Sequence, residues 1–158
     1  MRQVHKMDAA TFFSTFAELL KTNPPHANDY PILARLQRIG IEPGKSFSLA
    51  AAKPELQRAL QAVIPDVQRD IEAAMHRSGV LANGWRTNLT AIGTYGTDYL
   101  HRAAVAFAGL GANPIQDAVY PSLFADANGD PLHADRRYQM HFDKDQIPPV
   151  RAFWSLTM

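Results

Sequence analysis

Hydrophobic and polar positions in the first half of the chain follow the three-to-four spacing of amphipathic helices. The pattern predicts a helix over about 8–21 with Asp8 as its cap, a second over 29–40 and a longer third over 53–79. Pro65 lies inside the third stretch, and proline removes a backbone donor and crowds the preceding turn. We therefore expect a kink or a break there.

The middle of the chain contains a stretch typical of a loop and then a fourth helical pattern. Residues 79–96 are rich in Gly, Asn and Thr and predict a long connection anchored by Trp85. A fourth helix is expected from Thr97, its predicted N-cap, to about Leu110, where glycines end the pattern.

Strand-like patterns follow the fourth helix. A short strand is expected just before a turn cluster at 126–130, and residues 138–142 alternate apolar and polar side chains, which is typical of a half-buried strand. The β-branched and aromatic stretch 150–158 predicts the next strand. Three strands joined by short turns indicate antiparallel structure that begins late in the chain.

Composition and charge narrow the class of protein. The 158 residues are 46% hydrophobic and 20% charged, with a formal net charge of +1, as in an ordinary globular protein without the basic surface that nucleic-acid binding requires. The chain has no cysteine, no apolar run long enough for a membrane span and no signal peptide. No cofactor-binding motif is found, so we expect no cofactor and no nucleic-acid partner.

The most promising candidate site surrounds the start of the fourth helix. Asp98 and Arg102 are four residues apart, a spacing suited to an ion pair on one helix face. Tyr95 and Tyr99 lie just before the helix and within its first turn, and tyrosine together with arginine often lines binding pockets. The structural alternative is a helix docked by its apolar face and supported by a salt bridge.

Other candidates have simpler explanations. Asp126, Asn128 and Asp130 stand at alternate positions, as in a calcium loop, but the remaining ligands of that motif are missing and a hairpin turn explains the same residues. Trp154 could stack on a ligand or belong to the core. The six histidines lack metal-ligand spacing and are interpreted as scattered surface residues.

Several of these stretches together resemble one family. "GTYGTDYLHRAAVAFAGLGAN", "DAVYP", "DANGDPLHADRRYQMHF" and "IPPVRAFWSLTM" look like the carboxy-terminal module of the domain-of-unknown-function 1214 family (DUF1214), which usually follows a domain-of-unknown-function 1254 module. The helical first half, with "RIGIEPGKSF", is similar to the insert that joins those modules. The resemblance implies a bacterial-type, cell-envelope or periplasmic protein with a jelly-roll-like β-sandwich and brings no reaction or cofactor.

The expected fold class is therefore α+β: a small helical domain over 1–80, followed over 81–158 by an incomplete antiparallel jelly-roll-like β-sandwich with one docked helix at 97–110. Compared with the family pattern, the upstream module and later strands are absent, which leads us to expect a fragment. On this view residues 150–158 form an edge strand that exposes Phe153 or Trp154 and favours self-association.

Three function hypotheses follow. The leading one is an uncharacterised, non-catalytic envelope-type protein that binds a small molecule, a sugar or a partner chain, on a surface of Tyr95, Tyr99, Arg102 and Tyr120. The second is a hydrolase-type enzyme that uses carboxylates or a histidine near 95–120. The third is a structural or assembly protein that pairs strand edges between subunits.

Overall fold

A computed structural model describes residues 2–77, 79–89 and 92–157. The chain divides into two compact units, the first ending at Ser122 and the second beginning at Leu123. Each unit is described by itself below. The domain boundary that the sequence predicts, near residue 80, stays a prediction.

Five α-helices and two short strands are present in the described residues, all within the first unit, and they make a mixed fold of helices plus a small antiparallel sheet. In chain order the elements are α1 Arg2–His5, α2 Ala9–Thr22, α3 Tyr30–Arg38, α4 Pro54–Arg77, β1 Val80–Ala82, β2 Trp85–Thr87 and α5 Tyr99–Ala108. Single turns of 3₁₀ helix occupy Ala27–Asp29 and Leu49–Ala51.

Helices α2, α3 and α4 confirm the helices that the hydrophobic spacing predicts. Asp8 caps α2, because its carboxylate accepts a hydrogen bond of 2.7 Å from the backbone N–H of Thr11. Pro31 lies in the first turn of α3, where its missing N–H has no helical partner to lose. The predicted break at Pro65 is wrong, since α4 runs through it as one helix of 24 residues. A proline removes one ladder hydrogen bond, and the packing of α4 against α2 and α5 helps to keep the helix continuous.

The hydrophobic core of the first unit forms where α2, the 3₁₀ turn Leu49–Ala51 and α4 meet. Leu49 and Ala9 are almost fully buried, and Ile41 is completely inaccessible to solvent. Burying such side chains contributes about 1.5–3 kcal/mol for each large one. The partly buried residues packed around this cluster are Phe13, Ile39, Phe47, Ala52, Leu56 and Ile64.

A tight β-hairpin replaces the first part of the long connection predicted over 79–96. Strands β1 and β2 pair antiparallel, with Ala82 opposite Trp85. The two residues between them, Asn83 and Gly84, both have positive φ, which is the backbone of a type I′ turn and suits the twist of the paired strands. Gly79 is required just before β1, because a Cβ there would lie 2.8 Å from the carbonyl oxygen of Thr87.

One further backbone pairing extends this hairpin. Arg86 and Ser122 exchange two hydrogen bonds of 2.8 Å, in which each N–H donates to the other residue's carbonyl oxygen. The segment that ends the first unit is thereby fixed beside β2.

The second unit is held by turns. Ala125 and Pro131 form an isolated antiparallel bridge around the turn at 126–130. Residues 138–142 and 150–157 form no strand among the described residues, so the predicted strand pair and the jelly-roll-like sandwich are not confirmed. An extended segment becomes a strand only when a neighbour completes its hydrogen-bond ladder, and the alternation of side chains does not supply one. The two segments still share one contact, between the rings of Phe142 and Trp154, whose centroids lie 5.4 Å apart.

None of the helices in the described ranges is long and apolar enough to cross a membrane.

Candidate functional site

Helix α5 begins one residue later than predicted. Asp98, and not Thr97, is the N-cap, since its Oδ1 accepts a hydrogen bond of 3.0 Å from the backbone N–H of His101. The carboxylate of Asp98 is therefore used at the end of its own helix. The ion pair expected between Asp98 and Arg102 is replaced by another arrangement.

Arg102 pairs with a residue far away in the sequence. Its Nη1 donates to Oδ1 of Asp29 at 2.9 Å, where the aspartate side chain is only 14% exposed. The guanidinium carbon also lies 6.0 Å from the ring centroid of Tyr95 and 5.9 Å from that of Tyr99, within the range of a cation–π contact. We call Asp29, Tyr95, Tyr99 and Arg102 the Arg102 cluster.

The Arg102 cluster brings together three of the predicted site residues, Tyr95, Tyr99 and Arg102. Its arginine already has a carboxylate partner and two aromatic neighbours, so its geometry is that of a clamp between the turn before α3 and the start of α5. The hydroxyl of Tyr99 is buried and has no hydrogen-bond partner in the described part of the chain. The cluster favours the structural alternative for Arg102 and leaves one polar atom unsatisfied.

A cavity of about 310 Å³ lies on another face of α5. Helix α5 lines it with His101, Ala104, Val105 and Ala108, at the i, i+3, i+4 and i+7 positions of one face. Two of these four side chains are alanines, which leave unfilled the volume that longer side chains would occupy. The remaining lining residues are Met75, Asn88, Ile92, Gly109, Ala112, Asn113, Ala118, Val119, Tyr120 and Ser122. We call this space the α5 cavity.

His101 is the chemically distinctive residue of the α5 cavity. Its Nε2 is buried and lacks a hydrogen-bond partner among the residues that the structure describes. Its ring contacts that of Tyr95 edge to face, with centroids 5.5 Å apart. Buried polar atoms in proteins are nearly always hydrogen-bonded, so an unpartnered one in a residue that lines a cavity makes that residue the candidate partner of a ligand.

The sequence contains a signal for His101 that does not depend on metal-ligand spacing. No second ligand stands near this histidine in the sequence, which favours a surface residue. Its position on one stripe with Ala104, Val105 and Ala108 indicates the inner face of α5.

The other predicted site residues fall in different places. Tyr120 lines the α5 cavity, where its hydroxyl accepts a hydrogen bond of 2.6 Å from Nδ2 of Asn113, and it is 60% exposed. Trp154 belongs to the second unit, where its ring packs against Phe142. Tyr120 therefore lines the same cavity as His101, and Trp154 packs locally within the second unit.

The acidic loop of the second unit has turn geometry. Oδ1 of Asp126 accepts hydrogen bonds from the backbone N–H groups of Asn128, at 2.9 Å, and Asp130, at 3.1 Å. This is the local capping that Asp gives to turns. Within the described residues, no three His, Asp or Glu side chains lie together as a metal site would require.

A larger and more open depression of about 640 Å³ lies between the end of α3 and the start of α4. Arg38, Ser46 and Lys53 are among its lining residues. Neither of the two buried, unpartnered side-chain atoms found in the described residues belongs to its lining. The α5 cavity is therefore the better candidate site, although it is smaller.

Two carboxyl groups with shifted acidity lie on or beside α2. The Thr11 backbone N–H lowers the pKa of Asp8, and the Lys21 ammonium lowers the pKa of Glu18. Both shifts favour the ionised form, and neither residue lines the α5 cavity. They indicate a helix cap and a surface ion pair, and give no support to a catalytic acid.

Residues 117–158 match the family model described as "Protein of unknown function (DUF1214)". The resemblance drawn from the sequence is thereby confirmed over these residues. No curated protein and no solved structure matches the chain. The matched segment supplies Ala118, Val119, Tyr120 and Ser122 to the α5 cavity.

Proposed function

We propose that the protein is a non-catalytic, small-molecule-binding protein and that the α5 cavity is its binding site. One observation carries the proposal: Nε2 of His101 is buried without a partner in a residue that lines this cavity. Leaving such an atom unsatisfied costs about 1–3 kcal/mol, which a ligand with a hydrogen-bonding group would recover. The assignment to the cell envelope rests on the family resemblance alone.

The composition of the cavity wall supports binding over carboxylate catalysis. Among its described lining residues there is no Asp or Glu, so a pair of carboxylates for acid and base steps finds no place there. Asp98, the carboxylate nearest to His101 in the sequence, caps α5. Of the residues that the hydrolase hypothesis needs, the described lining supplies only His101, without a carboxylate.

An assembly role has one supporting observation of its own. In the second unit Phe124 is 73% and Phe153 is 80% exposed, and exposed aromatic side chains are common at surfaces that meet other chains. We keep self-association and the jelly-roll-like sandwich as proposals for this unit. The alternation over 138–142 and the ring contact of Phe142 with Trp154 support the sandwich.

Filling the α5 cavity tests the binding proposal. Ala108 lies at the last position of α5, is solvent-exposed and lines the cavity, so Ala108→Phe should occupy the space without disturbing the core. Ala34→Phe makes the same change on the exposed surface of α3 and serves as the control. A thermal-shift screen of small alcohols, phenols, amides and sugars is then run on all three proteins.

We expect at least one compound to raise the melting temperature of the wild type and of Ala34→Phe, and to leave that of Ala108→Phe unchanged. A screen without any stabilising compound would overturn the proposal. Equal shifts in Ala108→Phe and in the control would place the binding elsewhere, and would also overturn it.

A further inference from the structure

We infer that the α5 cavity takes an uncharged, mostly apolar molecule the size of a single substituted ring, with one hydrogen-bonding group directed at His101. This inference rests on the proposed function, since it names the class of ligand for that same cavity. It follows from the charge, the size and the polar atoms of the wall.

The charge of the wall excludes ionic ligands. Its described lining residues include no Lys, Arg, Asp or Glu. A carboxylate or an ammonium group that entered would lose its hydration without gaining a partner of opposite charge, and that loss is large in an apolar surrounding. The nearby guanidinium of Arg102 does not change this, because it is paired with Asp29 and lies outside the lining.

The size of the cavity favours a small ligand. Its volume of about 310 Å³ lies at the lower end of the range of about 300–1,000 Å³ in which proteins bind small molecules. A single substituted ring fits a space of this size.

Five lining residues carry polar side chains: Asn88, His101, Asn113, Tyr120 and Ser122. Nε2 of His101 is buried and unpartnered, whereas Tyr120 is largely exposed and its oxygen already accepts from Asn113. Eight lining residues are wholly apolar beyond glycine: Met75, Ile92, Ala104, Val105, Ala108, Ala112, Ala118 and Val119. A sugar would bring several hydroxyls against these apolar side chains and leave most of them unsatisfied. A ligand with one hydroxyl, amide or carbonyl matches the wall better.

Three compounds built on toluene test the proposed ligand class by isothermal titration calorimetry at pH 7. They are p-cresol, which has one neutral hydroxyl, toluene, which has no polar group, and 4-methylbenzoate, which is an anion. Glucose represents the polyhydroxylated class. We expect p-cresol to bind about fivefold more tightly than toluene, in line with one hydrogen bond to a buried partner, and 4-methylbenzoate and glucose to bind more weakly than toluene.

Two variants assign the preference to His101. His101→Leu should bind p-cresol and toluene equally, because the polar atom is gone while the wall stays apolar. His101→Gln places an amide near the original position of Nε2 and should keep the preference for p-cresol. Urea denaturation of both variants checks that the fold is retained. An unchanged p-cresol preference in His101→Leu would overturn the role of His101.

The possible outcomes distinguish a failure of the proposed binding site from a failure of the proposed ligand class. If none of the four compounds binds and the wider screen is also negative, the proposed function fails. If 4-methylbenzoate or glucose binds at least as tightly as p-cresol, and Ala108→Phe abolishes that binding, the site stands and the ligand class is wrong. Equal affinity for p-cresol and toluene in the wild type would also overturn the ligand class.

Discussion

The two units of the chain have similar side chains available and use them differently. The first unit contains all the buried hydrophobic residues of the described chain: Ala9, Ala17, Ile41, Leu49, Leu60 and Ala104. In the second unit Phe124, Phe153 and Leu156 are each more than half exposed. Apolar composition alone therefore does not make a core.

Long-range contacts explain the difference. In the first unit helices pack on one another, and Arg102 reaches a partner 73 residues away. In the second unit the hydrogen bonds among the described residues join near neighbours, such as the His133 N–H and the Tyr138 hydroxyl at 2.8 Å. A segment held by local turns gains little from the hydrophobic effect, so its free energy of unfolding should be small.

The largest expected effect comes from one matched pair of truncations. Leu49→Ala removes a side chain that is 4% exposed, and should lower the free energy of unfolding by about 2–5 kcal/mol. Leu156→Ala makes the same chemical change where the side chain is 57% exposed, and should cost less than about 0.5 kcal/mol. Urea denaturation followed by circular dichroism measures both. Similar losses for the two variants would contradict the contrast between the units.

A smaller effect tests the long-range ion pair of the Arg102 cluster. A double-mutant cycle with Asp29→Asn and Arg102→Met should give a coupling energy of up to about 1 kcal/mol, because the arginine is partly exposed. The same cycle with Asp98→Asn and Arg102→Met should give a coupling energy near zero, since Asp98 caps its own helix. A larger coupling for Asp98 than for Asp29 would restore the pair expected from helix spacing.

The smallest expected effect is a loss of stability at acidic pH. Hydrogen bonding from Thr11 holds the pKa of Asp8 below its ordinary value of 3.8, and Lys21 holds that of Glu18 below 4.5. A carboxyl whose pKa is depressed by folding stabilises the fold at higher pH, and this contribution is lost as the pH falls through the folded-state pKa. The urea midpoint should therefore fall as the pH drops below about 4.

Asp8→Asn isolates the contribution of the helix cap. The amide oxygen can still cap α2 but does not titrate, so the variant should lose less of its urea midpoint than the wild type does between pH 5 and pH 3. An identical acid dependence in the two proteins would show that Asp8 has the same pKa folded and unfolded.

Local signals in the sequence predicted local structure well. Asp8 followed by spaced apolar residues predicted α2 together with its cap, because both depend on residues within one helix. The Asn83–Gly84 pair is also a local signal, typical of a hairpin turn, but it was hidden within a stretch rich in Gly, Asn and Thr. The hairpin is therefore predictable from the sequence, because its turn depends on two adjacent residues.

Features that depend on distant residues could not be predicted in this way. Helix spacing offered Asp98 as the partner of Arg102, and only the packed fold brings Asp29 to it. The cavity beside His101 is lined in part by residues between 109 and 122, and a single sequence does not show that these residues come to α5. The alternation over 138–142 predicted a strand, whereas a strand also needs a neighbour that completes the ladder.

The most direct test of the central claim, that the ligand site lies in the α5 cavity, is a methyl NMR spectrum recorded with and without p-cresol. We predict that the methyl signals of Met75, Ile92 and Ala104 shift as the compound is added, because these side chains line the cavity. The methyl signals of Leu132 and Leu156, in the second unit, should stay where they are. Shifts confined to the second unit, or none at saturating p-cresol, would contradict the account.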